Sequence, residues 1–315
     1  MAKLVAGMAS SHAFALEDPS RWDEGRQRNR QMYARRYGVE PPDQPQVAEE
    51  TDADCQTRHG RIRDGFAFLR RKLEQVKPDA IVFIGDDQNE NFKEDNLPQI
   101  AIYLGQDFLA RARGSNADTA QYRCAPDLAR AIFEESVESD IDMASVRSLP
   151  DNVLLAHAFG PVLRIVDPEA RIPVIPIFVN AIHVPAPSPA RCYAYGQAVR
   201  RAVEQYSGGE RVAVYASGGL SHFTGGYPWL HYQGPFSYGS ISEEYDRWLL
   251  SKMAAGENHD FARIPSQDII GNGEIEFRSW ITLFGAIGDA RPELLTYEPL
   301  YRGLMGQAVG CWDLR

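Results

Sequence analysis

Hydrophobic positions along the chain follow two periods. Continuous apolar runs at 3–8, 80–85, 99–104, 172–179 and 211–215 read as buried strands, and 143–149 as a weaker one. Between them the spacing changes to alternating threes and fours. Cys55, His59, Ile62, Phe66, Leu69, Leu73 and Val76 form one face of a helix over 54–77, stopped by Pro78. Further helices are predicted at 125–135, 161–166, 193–206, 242–253 and 275–287, the last packed through Phe277, Trp280, Ile281 and Phe284. The tail from Leu294 is mixed and aromatic, with no clear period.

Strands that alternate with helices predict an α/β fold, with a central, mainly parallel sheet flanked by helices on both faces. No repeat, low-complexity tract or linker interrupts it, so one domain over 1–315 is expected. The stretch at about 17–54 is polar and is broken by Pro41-Pro42 and Pro45. It reads as an insertion over one edge of the sheet, anchored by Trp22 and Tyr33. Two readings stay open, a solvated excursion and a lid over a pocket.

Composition adds exclusions. The 315 residues are 44% hydrophobic and 24% charged, which is ordinary for a globular enzyme. A net charge of −10 argues against nucleic acid or an anionic membrane as the main partner. The four cysteines, Cys55, Cys124, Cys192 and Cys311, lack C-x-x-C spacing and read as reduced thiols. With no signal-like segment and no membrane-length apolar run, a cytoplasmic protein is expected.

Candidate chemistry gathers where strands end. The strand at 211–215 runs into Ala216-Ser217-Gly218-Gly219-Leu220-Ser221-His222, and the first strand into Ala9-Ser10-Ser11-His12. His157 adjoins another element end. These are three of only seven histidines, at the strand tips and loops where open α/β sheets place their ligands. The strand at 80–85 terminates in Asp86-Asp87-Gln88-Asn89-Glu90, the densest polar cluster in the chain, which is a turn or a site. Glu276 lies four residues before Trp280 and shares its inward helical face, and a buried glutamate needs a partner such as a metal. The glycine pair at 218–219 is no phosphate loop, because no Walker lysine follows it. Ser217 and Ser221 lack the G-x-S-x-G elbow of a hydrolase.

Ser-Ser-His near the amino terminus, Ser-Gly-Gly-Leu-Ser-His after a strand and Glu four residues before Trp together resemble the class III extradiol ring-cleavage dioxygenases, from residue 3 to about residue 288. The resemblance implies a non-haem Fe(II) enzyme that inserts both atoms of O2 beside the hydroxyls of a small aromatic diol. It implies His12 and Glu276 as iron ligands, His222 as the acid/base histidine and His157 as a second active-site histidine. Asp87, Ser221 and His183 are expected around the substrate, with His183, in a proline-rich turn, at the pocket mouth or on a solvated loop. A homodimer is expected on the same ground. The substrate implied is a catechol- or gallate-type phenol such as 3-O-methylgallate.

One position departs from the family. Its second iron-binding histidine follows an aspartate at the end of the second main strand, and here that pair is Asp87-Gln88. Glutamine offers only a neutral carbonyl oxygen. A subgroup similar to the 3-O-methylgallate dioxygenases carries the same Gly-Asp-Asp-Gln form. A substitute ligand is conceivable on lengths alone. Helix 59–76 covers about 25 Å and strand 80–88 returns about 26 Å, which would bring His59 level with Gln88 if the two are antiparallel. The other reading of His59 is a core histidine bonded to a carbonyl. Glu90 is a further candidate ligand. The alternative activity, favoured by Gln88, is a hydrolase or C–C lyase with altered or absent metal that uses His222 as general base.

Overall fold

The computed structural model describes residues 1–112, 117–150 and 153–315. Strand β1 (Lys3–Ser10) opens the chain, followed by helices α1 (Trp22–Tyr37), α2 (Pro45–Glu49) and α3 (Asp52–Val76). A capping box between Thr51 and Asp54 starts α3, and Lys77, in the left-handed region just before Pro78, ends it. Then come β2 (Ala80–Gly85), β3 (Ile100–Tyr103), β4 (Asp107–Arg111), β5 (Thr119–Arg123), α4 (Pro126–Glu138), β6 (Ala144–Val146), α5 (Gly160–Val166) and β7 (Val174–Val179). The chain closes with α6 (Pro189–Gln205), β8 (Arg211–Ser217), α7 (Glu243–Ala255), α8 (Ser266–Gly271), α9 (Arg278–Ile287), β9 (Leu294–Leu300) and β10 (Met305–Asp313).

The strands form an eight-stranded sheet in the order β6-β3-β7-β2-β8-β1-β10-β9, with β4 and β5 as a separate hairpin. β7, β2, β8 and β1 are mutually parallel at its centre. β1 pairs antiparallel with β10, and β10 with β9. The tail that showed no period in the sequence is therefore two strands. Glycines 306 and 310 and Gln307 break its apolar run, although Val309 and Cys311 face one core while Ala308 and Trp312 face the other.

Alternation along β2 sends Val82 and Ile84 to one face and Ile81 and Phe83 to the opposite one. The first face is covered by α4, α6 and α9 through Leu128, Ile132, Val199, Val203, Trp280 and Phe284. The second is covered by α3 and α5 through Ile62, Phe66, Leu69, Val162 and Leu163. Helices α6 and α9 meet at Gly196 and Gly285, and a Cβ at Gly196 would stand 1.9 Å from the Thr282 carbonyl oxygen. All four cysteines are buried and free. No helix among the described residues is long and apolar enough to cross a membrane.

The polar stretch after β1 holds α1 and α2. Trp22 and Tyr33 are buried as its anchors. Arg36 donates to the Gly225 carbonyl at 2.8 Å and the Tyr37 hydroxyl to that of Tyr227 at 2.6 Å, so α1 is docked on the loop after His222. Asn29 and Met32 of α1 face the cavity described next, which makes this helix one of its walls.

Candidate active site

A cavity of about 420 Å³ opens at the carboxyl ends of β1, β2 and β8. His12 follows β1, Asp86 and Gln88 follow β2, His222 ends the loop after β8, and Glu276 sits on the 3-10 turn that leads into α9. Gly218 and Gly219, both with positive φ, let the chain turn tightly against that 3-10 turn. A Cβ at Gly218 would stand 2.8 Å from both the Glu276 Cβ and its carbonyl oxygen, so this close approach requires glycine. The Trp280 indole N–H donates to the Gly218 carbonyl at 2.9 Å and fixes the loop from below.

Hydrogen bonds settle which way the His12 ring works. Ser217 donates its hydroxyl hydrogen to the Ala158 carbonyl at 2.5 Å, so its oxygen accepts from His12 Nδ1 at 3.1 Å. Nε2 then points at Asp86 Oδ1, 3.8 Å away, and Glu276 Oε2, 3.6 Å away. One ligand atom from each of the three residues lies within 4.8 Å of the others, and all three residues are buried.

Asp86 is completely buried and its Oδ1 has no hydrogen-bond partner. Burial, with Glu276 adjacent, pushes its carboxyl well above the ordinary carboxylate range. Burial acts on Glu276 in the same direction. There His12, His222 and the Gly219 N–H outweigh it and hold the carboxyl well below the usual range. The two buried acids therefore differ, with burial and its neighbour raising the pKa of Asp86 while the histidines lower that of Glu276. An acidic oxygen without a hydrogen-bond partner, a second carboxylate and an imidazole nitrogen converging on one point suit a divalent cation.

Gln88 reaches this cluster in a different role from the one expected. Its Nε2 donates to Asp86 Oδ2 at 3.2 Å and to Glu276 Oε1 at 2.9 Å. Carboxylates only accept, so the amide must turn its NH2 toward them and its carbonyl toward Gly226. Gln88 thus clamps two acids, and the acidic atoms that lie nearest His12 Nε2 are those of Asp86 and Glu276. His59 is not brought to the cluster either. Its Nε2 meets the Leu16 carbonyl at 3.4 Å and its ring stands edge-on to Trp22, so it is a core histidine.

The other two histidines line the cavity. His222 Nδ1 donates to the Leu220 carbonyl at 2.8 Å, which leaves Nε2 facing Glu276 Oε1 at 3.4 Å. Burial disfavours charge on this ring, but the Glu276 carboxylate outweighs burial and its pKa is raised. His157 is oriented by Glu90, whose Oε2 accepts from Nδ1 at 2.7 Å and from the backbone N–H at 3.0 Å. Its ring meets that of His12 edge-on, with centroids 5.0 Å apart. Glu90 is committed to this bond, and burial is outweighed by His157 in lowering its pKa.

Three residues expected around the substrate are elsewhere. Asp87 caps a turn, accepting from the N–H groups of Glu90, Asn91 and Phe92 at 2.7–3.2 Å. Ser221 donates to Asp246 at 2.8 Å and accepts from the Ser242 N–H, a buried anchor for α7. His183 donates to Asn89 at 2.9 Å and lines a neighbouring cleft. The cavity has walls that sequence reasoning missed, namely Met32 from α1 and Leu304 and Met305 from the start of β10. For Asp86 a signal existed, because it is the polar residue nearest the end of the buried run.

Residues 44–310 match the family described as the catalytic LigB subunit of aromatic ring-opening dioxygenase. A 2,3-dihydroxyphenylpropionate/2,3-dihydroxicinnamic acid 1,2-dioxygenase of Klebsiella pneumoniae subsp. pneumoniae is 25% identical over 289 residues, 76% of this chain and 87% of that protein. A gallate dioxygenase of Pseudomonas putida is 35% identical over 98 residues, 30% of this chain and 28% of that one. The crystal structure of an uncharacterized protein from Escherichia coli K12 shares the fold, with a TM-score of 0.50 and 14% identity over 78% of this chain and 91% of that one.

Proposed function

The chain belongs to the LigB family of ring-opening dioxygenases and is an extradiol ring-cleavage dioxygenase, and from that premise we propose an Fe(II) enzyme acting on a catechol- or gallate-type phenol. His12, Asp86 and Glu276 would hold the ion. The observation that carries this is Asp86 Oδ1, buried without a hydrogen bond beside a second carboxylate and an imidazole nitrogen. When bound there, iron supplies a Lewis acid and a one-electron partner that couples the diol to O2.

This chain's own residues do the rest. His222, fixed through Nδ1, presents Nε2 to the cavity and takes the proton of a substrate hydroxyl, then returns it as the ring opens. His157, held by Glu90 through Nδ1, stands beside His12 and positions the reacting groups. Phe14, Met32, Leu304 and Met305 enclose the aromatic ring in an apolar chamber that limits water. Both oxygen atoms of O2 end in the ring-opened product, with no external reductant. A homodimer, with twice the 35.2 kDa chain mass in sedimentation, belongs to the same reading.

The test is anaerobic reconstitution with Fe(II), followed by addition of a catechol series and O2. A yellow ring-opened product with O2 consumed in equal amount is expected. Protein that gains nothing from Fe(II) and instead hydrolyses or cleaves a ring-opened substrate would support the lyase or hydrolase alternative.

A further inference from the structure

The segment that ends in His222 is held by backbone on both sides. Gly306 of β10 accepts from the Leu220 N–H at 3.0 Å and donates to the Ser221 carbonyl at 2.9 Å, and the Gly273 carbonyl accepts from the His222 N–H at 3.1 Å. Into this frame α7 inserts the side chain of Asp246, which is completely buried. Its Oδ1 accepts from the Ser221 N–H at 3.1 Å, and its Oδ2 accepts from the Ser221 hydroxyl at 2.8 Å and the Tyr297 hydroxyl at 2.5 Å. A Cβ at Gly306 would stand 2.2 Å from Oδ2, so β10 carries a glycine where the carboxyl group crosses it. The Ser242 N–H already ties the start of α7 to the Ser221 hydroxyl at 2.8 Å. Burying an acid costs free energy, so this one calls for a reason beyond anchoring the helix.

The reason lies in one peptide unit. The Ser221 N–H held by Asp246 and the Leu220 carbonyl that accepts from His222 Nδ1 at 2.8 Å belong to the same planar group. Turning that plane moves the carbonyl, and the imidazole with it. Hydrogen bonds at the two ends of one amide also polarise and strengthen each other. The result is a relay from carboxyl group through peptide to imidazole, with a peptide standing between the partners that bond directly in many histidine sites. Resting on the reading of His222 as the acid/base of ring cleavage, we propose that Asp246 is a positioning residue: through the Leu220–Ser221 peptide it fixes the His222 ring with hydrogen on Nδ1 and with Nε2 facing the cavity. Asp246 stands behind the residues that line the cavity and acts through that peptide.

Asp246→Ala and Asp246→Asn are compared with Tyr297→Phe, which removes a bond to the same carboxyl oxygen without touching the Ser221 peptide. Each is loaded with Fe(II), titrated anaerobically with catechol, gallate and 3-O-methylgallate, and then mixed with O2 for a single turnover. Asp246→Ala should lower the rate of ring opening about 10–100-fold, with iron content and phenol affinity unchanged. Asp246→Asn offers the same N–H a neutral oxygen and should recover part of the loss. Tyr297→Phe should lower Tm and keep the rate near the wild-type value. A second readout needs no turnover. In Zn(II)-loaded protein the His222 Nδ1–H, identified by its loss in His222→Gln, should give a low-field proton resonance that moves upfield in both Asp246 variants and stays in Tyr297→Phe. A wild-type rate in Asp246→Ala, a loss confined to phenol binding, an equal loss in Tyr297→Phe or an unmoved His222 resonance overturns the proposal. If Asp246→Ala does not fold, Asp246→Asn carries the test, and a wild-type rate or an unmoved resonance there overturns it. If the wild type opens none of the three phenols, the ring-cleavage reading is what fails, and the resonance alone decides whether Asp246 holds the ring.

Discussion

Gln88→Leu isolates what the amide does for the site. Leucine is close to glutamine in volume but donates nothing, so the variant removes the two hydrogen bonds to Asp86 and Glu276 without opening a cavity. A hydrogen bond to a charged group is worth roughly 1.5–3 kcal/mol. The bond to Glu276, at 2.9 Å to an ionised acid, should count fully. The bond to Asp86, at 3.2 Å to an acid that burial pushes toward its neutral form, should count for less. The metal-free variant is therefore expected to lose about 2–4 kcal/mol. At an unfolding entropy of about 2.1 cal/mol/K per residue, that is roughly 3–6 °C in Tm for a chain of this length. A bound divalent cation neutralises the same two acids, so the loss should shrink when metal is added. Ion at a hundred times its Kd stabilises by about 2.7 kcal/mol in any case. Matched thermal melts of wild type and variant, with EDTA and with excess Mn(II) as a redox-stable probe, read both effects. A metal-free variant melting within about a degree of the wild type would refute the clamp, since that is less than the single strong bond should cost. A gap that metal leaves unchanged would refute the shared role of the two acids.

Other outcomes follow from the same geometry. His222→Gln should cut kcat by about 10²–10⁴-fold while iron content stays at the wild-type level, read by single-turnover kinetics beside metal analysis. Lys72 is buried between Glu293 and Asp313 at 2.6 and 2.7 Å, and Lys72→Met should cost about 1–3 kcal/mol in denaturant titrations at pH 7, discounted because both acids are partly exposed. Asp313, held well below its usual range by Arg315 and Lys72, contributes stability that is present above its unfolded pKa near 3.9 and lost as pH falls beneath that. The Lys72→Met deficit should therefore narrow only in strong acid. Gly196→Ala would press a methyl onto the Thr282 carbonyl and, at 2.8 Å, the Ala286 nitrogen. It should force α6 off α9 at a cost of about 3 kcal/mol or more, seen as a lowered Tm or loss of soluble protein.

Much of the fold was legible because burial on two faces leaves a strong mark. The runs that became β2 and β7 are apolar at nearly every position, and the three-four spacing of α3 survives even its many charges. β10 left no such mark, since a strand built from Met-Gly-Gln-Ala-Val-Gly-Cys-Trp-Asp has too few large apolar residues to show a period. The hairpin β4–β5 was missed for the opposite reason, as its outer positions are exposed and polar. At the site, His12, His157, His222 and Glu276 could be found from element ends and helical phase. Asp86 and Gln88 could not be told apart that way. Their roles follow from side-chain direction, because an amide must turn its donors toward acids, and sequence does not contain that direction. His59 shows the limit of length matching. The helix was placed correctly, but β2 stops at Gly85 rather than running to Gln88, and the ring packs against Trp22 from the segment after β1, a contact that no local pattern reveals.

The central claim is that His12, Asp86 and Glu276, from three distant parts of the chain, hold one metal ion. Its most direct test is the Fe(II) stoichiometry of wild type and of the His12→Ala, Asp86→Ala, Glu276→Ala and His59→Ala variants, each confirmed folded by circular dichroism and loaded anaerobically. About one ion per chain is expected for the wild type and for His59→Ala, with almost none for the other three. Full occupancy in Asp86→Ala, or an empty site in His59→Ala, would contradict it.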